Sequence, residues 1–315
     1  MKVKILAALL GVSFLFNIAG LVFFICFLKM QGEHKRLRRE RDVMAQNLTV
    51  VRAGGAVEES VAPQNFSKRT FYSLRDGQAD TYAFQPPSMV DPSDNTLLVY
   101  LHGMGSNYLE PFLYPHGETI AQSIMSHYAH TAILSCNYRQ EASWGTDLAM
   151  DDISQNIRQI EQEYPIKNII LMGTSMGGCT ALTYATQAPP EIKSKIKGIV
   201  SVEGAGSLKE LAELSGNPVV KLAIQSAMGG TYDQVPATYE RKSFLPNAGA
   251  LPNGVKVAVI SAKQDVIVPP QLQTKIVDAL EQRRIPVRLI MVDGGHGCPP
   301  APIYVQGLDF ASGKG

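Results

Sequence analysis

The sequence predicts an α/β protein in which helices cover both faces of a mostly parallel central sheet. Eight short runs rich in β-branched and aliphatic residues are typical of strands, namely residues 68–74, 81–85, 96–102, 131–136, 168–172, 198–202, 255–262 and 287–292. Helix-like stretches separate the later runs. The clearest covers residues 147–164, where Asp147 is the expected N-cap and one helix face carries Ile153, Ile157, Ile160 and Tyr164. Strands that alternate with helices in this way form parallel sheets.

Composition narrows the class of protein. The chain has 315 residues, of which 45% are hydrophobic and 18% are charged, a balance that can bury a sizeable core. Its formal net charge of +1 argues against a nucleic-acid partner, because such proteins usually carry a strong basic excess. The four cysteines follow no metal-ligand spacing, which favours free thiols but leaves one bridge open; they are Cys26, Cys136, Cys179 and Cys298.

The N-terminal residues predict a membrane anchor. Residues 5–28 contain no charged side chain, and a helix of that length spans ~36 Å, enough for a hydrocarbon core of ~30 Å. Such a run is longer than the apolar part of a cleavable signal peptide, so we expect an uncleaved, single-pass transmembrane helix over residues 1–30. Lysine and arginine counts favour a cytoplasmic catalytic domain, whereas the short N-terminal tail favours the opposite side. The side is therefore left open.

Three further segments follow this anchor in the predicted organisation. Residues 31–65 form a charged stalk and linker, for which a solvated segment is favoured over a coil that would join two copies into a homodimer. Residues 66–315 form the α/β domain. Within it, residues 203–247 make a long connection between two core strands with helix-like pieces at 208–214 and 219–228, and we expect this connection to cap the site.

The motif Gly-Thr-Ser-Met-Gly predicts a nucleophile. Ser175 lies between the strand-like run 168–172 and a helix-like stretch from Met176, and this order is that of a nucleophile elbow. Gly173 and Gly177 flank the serine because the sharp turn brings neighbouring backbone too close for larger side chains. The helix that follows aims its first N–H groups at the site, where negative charge develops during acyl transfer.

A serine hydroxyl needs a base and an orienting acid, which follow the serine in chain order in elbow enzymes. Of the six histidines only His296 comes after Ser175, in a glycine-rich loop past the last strand-like run. Asp265 is the favoured acid because it follows the run that directly precedes the one leading to His296. Glu203 is the alternative acid, with the lining of the pocket as its other role.

Catalysis of this kind also needs donors aimed at the developing oxyanion. The backbone N–H of Met176 is one expected donor. The second is expected from the loop His-Gly-Met-Gly-Ser-Asn after the run 96–102, where the N–H of Met104 is our choice. The full prediction is a triad of Ser175, Asp265 and His296 with an oxyanion hole at Met104 and Met176.

These motifs together resemble the α/β-hydrolase family over about residues 66–311. The stretch Asn-Tyr-Arg-Gln-Glu-Ala-Ser-Trp-Gly resembles the equivalent region of prolyl-oligopeptidase-like members. Only a few dozen residues separate the predicted anchor from the catalytic domain, fewer than the N-terminal propeller of those peptidases needs. The resemblance therefore implies a serine hydrolase that cleaves a carboxylic ester through an acyl-enzyme, without metal or organic cofactor.

Two other functions are kept as alternatives. One is a peptidase or amidase of the prolyl-oligopeptidase-like type, which would use the same residues. The other is a hydrolase-fold binding protein without catalysis. The expected partners are a small-molecule ester or acyl substrate and, through the predicted helix, a membrane.

Overall fold

The sheet has eight strands, and their bounds follow the predicted runs closely. The computed structural model describes residues 66–90, 95–113, 117–297 and 299–314. The strands are β1 Ser67–Tyr72, β2 Ala79–Gln85, β3 Thr96–Leu101, β4 Thr131–Cys136, β5 Asn168–Thr174, β6 Ile196–Val202, β7 Lys256–Ala262 and β8 Val287–Val292. They lie in the order β1-β2-β4-β3-β5-β6-β7-β8, and β2 pairs antiparallel with both of its neighbours. The pairs from β4 through β8 are all parallel, so the predicted α/β fold with a mostly parallel sheet is confirmed.

Helices cover both faces of this sheet. They are α1 Ile120–His127, α2 Asp147–Glu163, α3 Met176–Gln187, α4 Pro190–Lys193, α5 Leu208–Leu214, α6 Pro218–Met228, α7 Pro236–Lys242, α8 Pro270–Glu281 and α9 Ala301–Ser312, with 3-10 turns at Glu110–Phe112 and Leu245–Ala250. Successive residues of β3 alternate between two buried clusters, one on each face, as the period of a strand requires. Helices α1 and α9 pack in one cluster, and α2, α3 and α8 pack in the other.

The predicted face of α2 is the one that is buried. Ile153, Ile157 and Ile160 are fully buried in the core, and Tyr164 packs against it as the residue that ends the helix. Burying one aliphatic side chain stabilises the fold by roughly 1.5–3 kcal/mol, so these three positions alone fix the helix on the sheet. The spacing of these residues in the sequence therefore identified the correct helix face.

The prediction that Asp147 caps α2 is wrong. The N-cap position belongs to Thr146, and Asp147 is the first helical residue. Its carboxylate forms ion pairs with Arg241 at 2.6 Å and Lys242 at 2.7 Å, both from the last turn of α7. The hydrogen bond from Arg241, with a further contribution from Lys242, lowers the pKa of Asp147 to about 2. Asp147 therefore joins the inserted helices to the core helix instead of closing its own first turn.

The inserted segment after β6 is helical, as its sequence indicates. Helices α5, α6 and α7 and the 3-10 turn Leu245–Ala250 occupy it. Buried side chains of these helices, such as Leu211, Ile224 and Tyr239, extend the core cluster that α2 and α3 share. The backbone N–H of Gly216, between α5 and α6, donates to the carbonyl of Val266 at 2.7 Å. The insertion thus contacts the loop that carries Asp265, and its role as a cap stays a prediction.

The fold-class prediction needs one correction, which concerns the transmembrane helix. No helix within the described ranges is both long enough and apolar enough to cross a membrane, so this element of the predicted fold is not supported. Residues 1–30 and the stalk at 31–65, on which the anchor and the homodimer predictions fall, lie outside the described residues. Cys136 and Cys179 are free and buried, whereas Cys26 and Cys298 also lie outside the described part of the chain.

Candidate active site

Ser175 stands at the turn between β5 and α3, where the chain reverses within one residue. Its φ angle of 55° lies in the left-handed region that side chains other than glycine rarely adopt. Leu101 lies opposite Gly173 in the sheet, and a Cβ on Gly177 would lie only 1.9 Å from the Leu101 carbonyl oxygen. A Cβ on Gly173 would lie 2.4 Å from the backbone of Gly177. Both glycines are therefore required by close backbone contacts, which is the physical basis of the motif.

Parallel strands bring the other two predicted groups to the same edge. The carboxyl ends of β5, β6, β7 and β8 are adjacent in the sheet, and the loops after them carry Ser175, Glu203, Asp265 and His296 in turn. His296 Nε2 lies 3.0 Å from Ser175 Oγ, and His296 Nδ1 lies 2.7 Å from Asp265 Oδ2. With the Nδ1 proton directed at the carboxylate, Nε2 can accept the proton of the serine hydroxyl. The structure thus brings the three predicted residues together as an acid–base–nucleophile relay.

Both oxygens of the Asp265 carboxylate accept hydrogen bonds. Its Oδ1 accepts the backbone N–H groups of Ile267 and Val268, each at 2.8 Å, which leaves Oδ2 for the imidazole. The Asp265 side chain is fully buried, and that of His296 is 16% exposed. Because a buried carboxylate satisfied by three donors has little freedom to turn, the imidazole orientation is fixed before any substrate arrives.

The electrostatics of His296 suit a general base. Burial lowers the pKa of the imidazole, but the hydrogen bond and charge of Asp265 and the charge of Glu203 outweigh that effect. The pKa of His296 therefore lies above its ordinary value. Neighbouring carboxylates stabilise the imidazolium that forms when the serine proton is transferred, which is the role that an orienting acid plays in such relays.

Glu203 is a second carboxylate beside the same imidazole nitrogen. Its Oε2 is 3.4 Å from His296 Nδ1 and accepts the backbone N–H of Gly297 at 2.9 Å. Sequence order made Glu203 an alternative to Asp265, and the structure places both carboxylates beside one nitrogen. The shorter distance and the hydrogen bond belong to Asp265, so Asp265 is the better assignment for the triad acid.

The glycine-rich loop after β3 leaves the N–H of Met104 without a hydrogen-bond partner among the described residues. The N–H of Gly103 donates to Glu110, that of Gly105 to the carbonyl of Glu141, and that of Ser106 to the carbonyl of Gly103. The N–H of Met104, between them, forms no hydrogen bond with any described residue. Met176 is the first residue of α3, so its N–H has no acceptor within the helix. The geometry thus leaves the two predicted oxyanion donors free, and their role stays a prediction.

His102 opens the same loop but takes no part in the relay. It is fully buried, and its ring nitrogens contact the carbonyl oxygens of Gly103 at 2.8 Å and Asn137 at 3.1 Å. The hydroxyl of Tyr138 donates to the His102 carbonyl at 2.5 Å. These contacts tie the loop to the segment after β4, so the histidine of the motif has a structural function.

Glu110 is a residue near the site that the sequence motifs did not indicate. Its Oε2 accepts the Gly103 N–H at 2.9 Å, and its Oε1 accepts the hydroxyl of Tyr100 at 2.8 Å. Tyr100 in turn contacts the hydroxyl of Thr174, the residue before the nucleophile, at 3.0 Å. The only signal in the sequence is an acidic residue seven positions after Gly103, which by itself predicts nothing. Its location shows that the carboxylate braces the loop that carries Met104.

Replacement of Glu110 by alanine is expected to slow acyl transfer without unfolding the protein. The Gly103 N–H and the Tyr100 hydroxyl would lose an acceptor, and a displacement of the donor loop by about 1 Å can lower kcat roughly a hundredfold. We expect Glu110→Ala to reduce kcat for a p-nitrophenyl ester by roughly tenfold to a hundredfold.

Glu110→Gln should recover most of this loss, because the amide can form a hydrogen bond with both the Gly103 N–H and the Tyr100 hydroxyl. Glu118→Ala is the control, since it removes a carboxylate from an exposed position. Activity of Glu110→Ala within twofold of the wild type would contradict the bracing role of Glu110.

One group of side chains in the described ranges could in principle hold a metal ion. The ligand atoms of Glu203, Asp265 and His296 lie within 4.8 Å of one another. Both imidazole nitrogens are, however, engaged by the hydrogen bonds to Ser175 and Asp265. A histidine binds a metal through a free lone pair on one ring nitrogen, and neither nitrogen of His296 is free. We therefore assign these three side chains to the proton relay.

A family model for the alpha/beta hydrolase fold matches residues 96–223. This region includes β3 through β6, the loop with Met104 and the elbow with Ser175. No curated protein matches the chain at a significant level.

Solved structures share the fold at low sequence identity. Acylaminoacyl peptidase of Pyrococcus horikoshii is 17% identical with a TM-score of 0.59, and the match covers 74% of this chain and 38% of that one. FphF is a fluorophosphonate-binding serine hydrolase of Staphylococcus aureus, solved in a substrate-bound form. It is 18% identical with a TM-score of 0.58, and the match covers 77% of this chain and 94% of that one. A puromycin-hydrolyzing peptidase of Mycobacterium tuberculosis is 18% identical with a TM-score of 0.60, and the match covers 79% of this chain and 39% of that one. The chain thus spans about two fifths of the peptidases.

Proposed function

We propose that this chain is a serine hydrolase of the α/β-hydrolase superfamily that cleaves carboxylic esters through an acyl-enzyme, a proposal supported by the family model over residues 96–223 and by the shared fold. The observation that carries the proposal is the relay from Asp265 through His296 to Ser175, with contacts of 2.7 and 3.0 Å. This geometry supports the proposal, because three separate loops must agree on chain order and distance to form it.

The first half of the reaction forms the acyl-enzyme. His296 Nε2 removes the proton of Ser175 Oγ while that oxygen attacks the carbonyl carbon of the ester. The carbonyl oxygen becomes negative and accepts the N–H groups of Met104 and Met176. The C–O bond to the alcohol then breaks, and the proton held by His296 passes to the departing oxygen.

The second half releases the acid. A water molecule replaces the alcohol, His296 takes one of its protons, and the resulting hydroxide attacks the acyl carbon. The bond to Ser175 Oγ breaks, and the proton on His296 returns to that oxygen. Asp265 keeps the imidazole in one tautomer throughout and stabilises its charged form.

Ester cleavage is preferred to peptide cleavage because of how the chain aligns with its structural relatives. The two Staphylococcus aureus enzymes, FphF and an S-formylglutathione hydrolase, are covered over 94% and 95% of their length. The peptidases carry a further portion that this match does not include. A peptidase or amidase activity with the same triad is the second candidate, favoured by the peptidases among the fold relatives.

The test compares how fast the wild-type protein cleaves esters and the matching anilides. We expect a fluorophosphonate probe to label the protein at Ser175, as mapped by mass spectrometry of the labelled peptide. We also expect p-nitrophenyl acetate and butyrate to be hydrolysed with kcat/KM at least about a hundredfold above that for the matching p-nitroanilides.

Labelling with faster anilide turnover would support the peptidase candidate instead. Folded protein that neither reacts with the probe nor hydrolyses any of the four compounds would indicate a hydrolase fold used only for binding.

A further inference from the structure

Glu203 occupies a strained position that ordinary packing does not explain. It follows β6 directly, its φ angle is 51°, and its N–H donates to the Ile260 carbonyl at 2.7 Å. Ser175, after the neighbouring strand β5, likewise has a positive φ angle, of 55°. A residue other than glycine in this region is strained and persists where the surroundings fix it, most often at functional sites. The strain turns the Glu203 side chain inward, where it is 1% exposed.

The polar contacts of the Glu203 side chain are with the loop that carries the base. Oε2 accepts the Gly297 N–H at 2.9 Å, which holds the residue next to His296 in place. The same oxygen lies 3.4 Å from His296 Nδ1, the atom that Asp265 Oδ2 approaches to 2.7 Å. One imidazole nitrogen is thus faced by two carboxylates, which come from two neighbouring strands.

The charges around Glu203 are simple to enumerate. Within the part of the chain that the structure describes, the charged groups that affect its titration are Asp265 and His296, from the loops after β7 and β8. Burial raises the pKa of Glu203 to about 7, an effect opposed by the Gly297 N–H and the charge of His296 and reinforced by the charge of Asp265. A positive charge on His296 therefore favours the ionised form of Glu203, and the reverse holds by linkage.

We infer that Glu203 is a second positioning residue for the catalytic base, which anchors the His296 loop through Gly297 and adds its own negative charge to the imidazolium. This inference rests on the proposed hydrolysis at Ser175. In the relay, Asp265 supplies the hydrogen bond and Glu203 supplies a further charge at 3.4 Å. The triad would then be supported by two acids, and the loss of one would leave the other beside the same nitrogen.

Two substitutions separate the anchor from the charge. Glu203→Gln keeps an oxygen that can accept the Gly297 N–H but removes the charge. Glu203→Ala removes both. If Glu203 only anchored the loop, Glu203→Gln would behave as the wild type. If its charge acts on His296, Glu203→Gln lowers the pKa of the imidazole, because a negative neighbour favours the protonated form.

The first experiment measures kcat and KM for p-nitrophenyl acetate between pH 5 and 9 in the wild type and both variants. The active form requires neutral His296, so we expect the acidic limb of kcat/KM in Glu203→Gln to move to lower pH by at least about half a unit. At pH 8 its kcat should fall roughly threefold to thirtyfold with KM unchanged within twofold. Superimposable profiles for Glu203→Gln and the wild type would overturn the inference.

The second experiment starts from a variant in which Glu203 is intact. In Asp265→Asn the carboxylate of Glu203 is still present to accept the Nδ1 proton. We expect this variant to retain at least about a hundredfold more turnover than His296→Asn, and the double variant Asp265→Asn/Glu203→Gln to lose that remainder. Loss of one triad acid alone can cost ~10⁴-fold when no second carboxylate is present. Asp265→Asn as inactive as His296→Asn would count against a second acid.

A third measurement distinguishes this inference from the proposed function. NMR titration of the His296 imidazole, assigned by comparison with His296→Asn, reports its pKa without any substrate. A lower pKa in Glu203→Gln, combined with no turnover by the wild type, would overturn ester hydrolysis and leave the pairing of the two groups intact. An unchanged pKa together with normal wild-type turnover would overturn only the role of Glu203.

Discussion

Replacement of Ser175 by alanine should lower kcat/KM for p-nitrophenyl esters by roughly 10⁴- to 10⁶-fold, because the relay then has no nucleophile. Labelling by a fluorophosphonate probe should disappear as well. The fold should be unaffected, since the hydroxyl forms its described hydrogen bond only with His296 and the side chain is 8% exposed. We therefore expect the midpoint of thermal unfolding to stay within about 2 °C of the wild type.

The control for this prediction is Ser194→Ala at an exposed position. The hydroxyl that it removes donates its described hydrogen bond only to the Glu191 carbonyl. It should match the wild type in turnover, labelling and unfolding. If Ser175→Ala kept more than about a tenth of the wild-type turnover, the nucleophile would have to be another group.

Replacement of Gly177 by alanine should disrupt the elbow itself. The added Cβ would lie 1.9 Å from the Leu101 carbonyl oxygen and 2.7 Å from that of His102, and both contacts are with backbone that cannot rotate away. Overpacking of this severity costs at least about 3 kcal/mol. For a domain of this size such a loss lowers the unfolding midpoint by roughly 6–12 °C, so we expect a large drop or failure to accumulate as soluble protein.

Gly249→Ala provides the matched control for this substitution. It introduces the same methyl group on an exposed turn, where the nearest atom is 4.0 Å away, and should leave stability and labelling unchanged. A soluble Gly177→Ala protein with the wild-type midpoint and full probe labelling would show that the backbone can relax around the elbow. The close-contact explanation of the motif would then be wrong.

Most of the sheet could be predicted because buried parallel strands are short apolar runs. The bounds of β4 and β8 match the predicted runs, since turn residues flank them on both sides. Strand β5 extends two residues further than predicted, to Thr174, because Gly173 resembles a turn residue in the sequence although it pairs with Leu101 in the sheet. The difference arises from tertiary packing, which local composition does not encode.

The order of the candidate catalytic residues could be predicted for the same reason. Each of Ser175, Asp265 and His296 follows a strand, and parallel strands deliver such residues to one edge. The preference for Asp265 over Glu203 as the acid could also be predicted, because the strand before Asp265 directly precedes the one that leads to His296. What could not be predicted is that both carboxylates lie beside the same nitrogen, at distances that differ by less than 1 Å. Glu110 follows no strand and reaches the site only through the turn after the Met104 loop, so no periodic pattern points to it.

The base and its acid depend on the outermost strand of the sheet. Strand β8 pairs only with β7, and its side chains are partly exposed. The loops that carry Asp265 and His296 are joined to each other, since Gln264 and Gly294 exchange hydrogen bonds at 2.6 and 2.9 Å. Ser175, in contrast, follows the central strand β5. Local opening at this edge of the sheet would therefore separate the His296 imidazole from the Ser175 hydroxyl without unfolding the central strands.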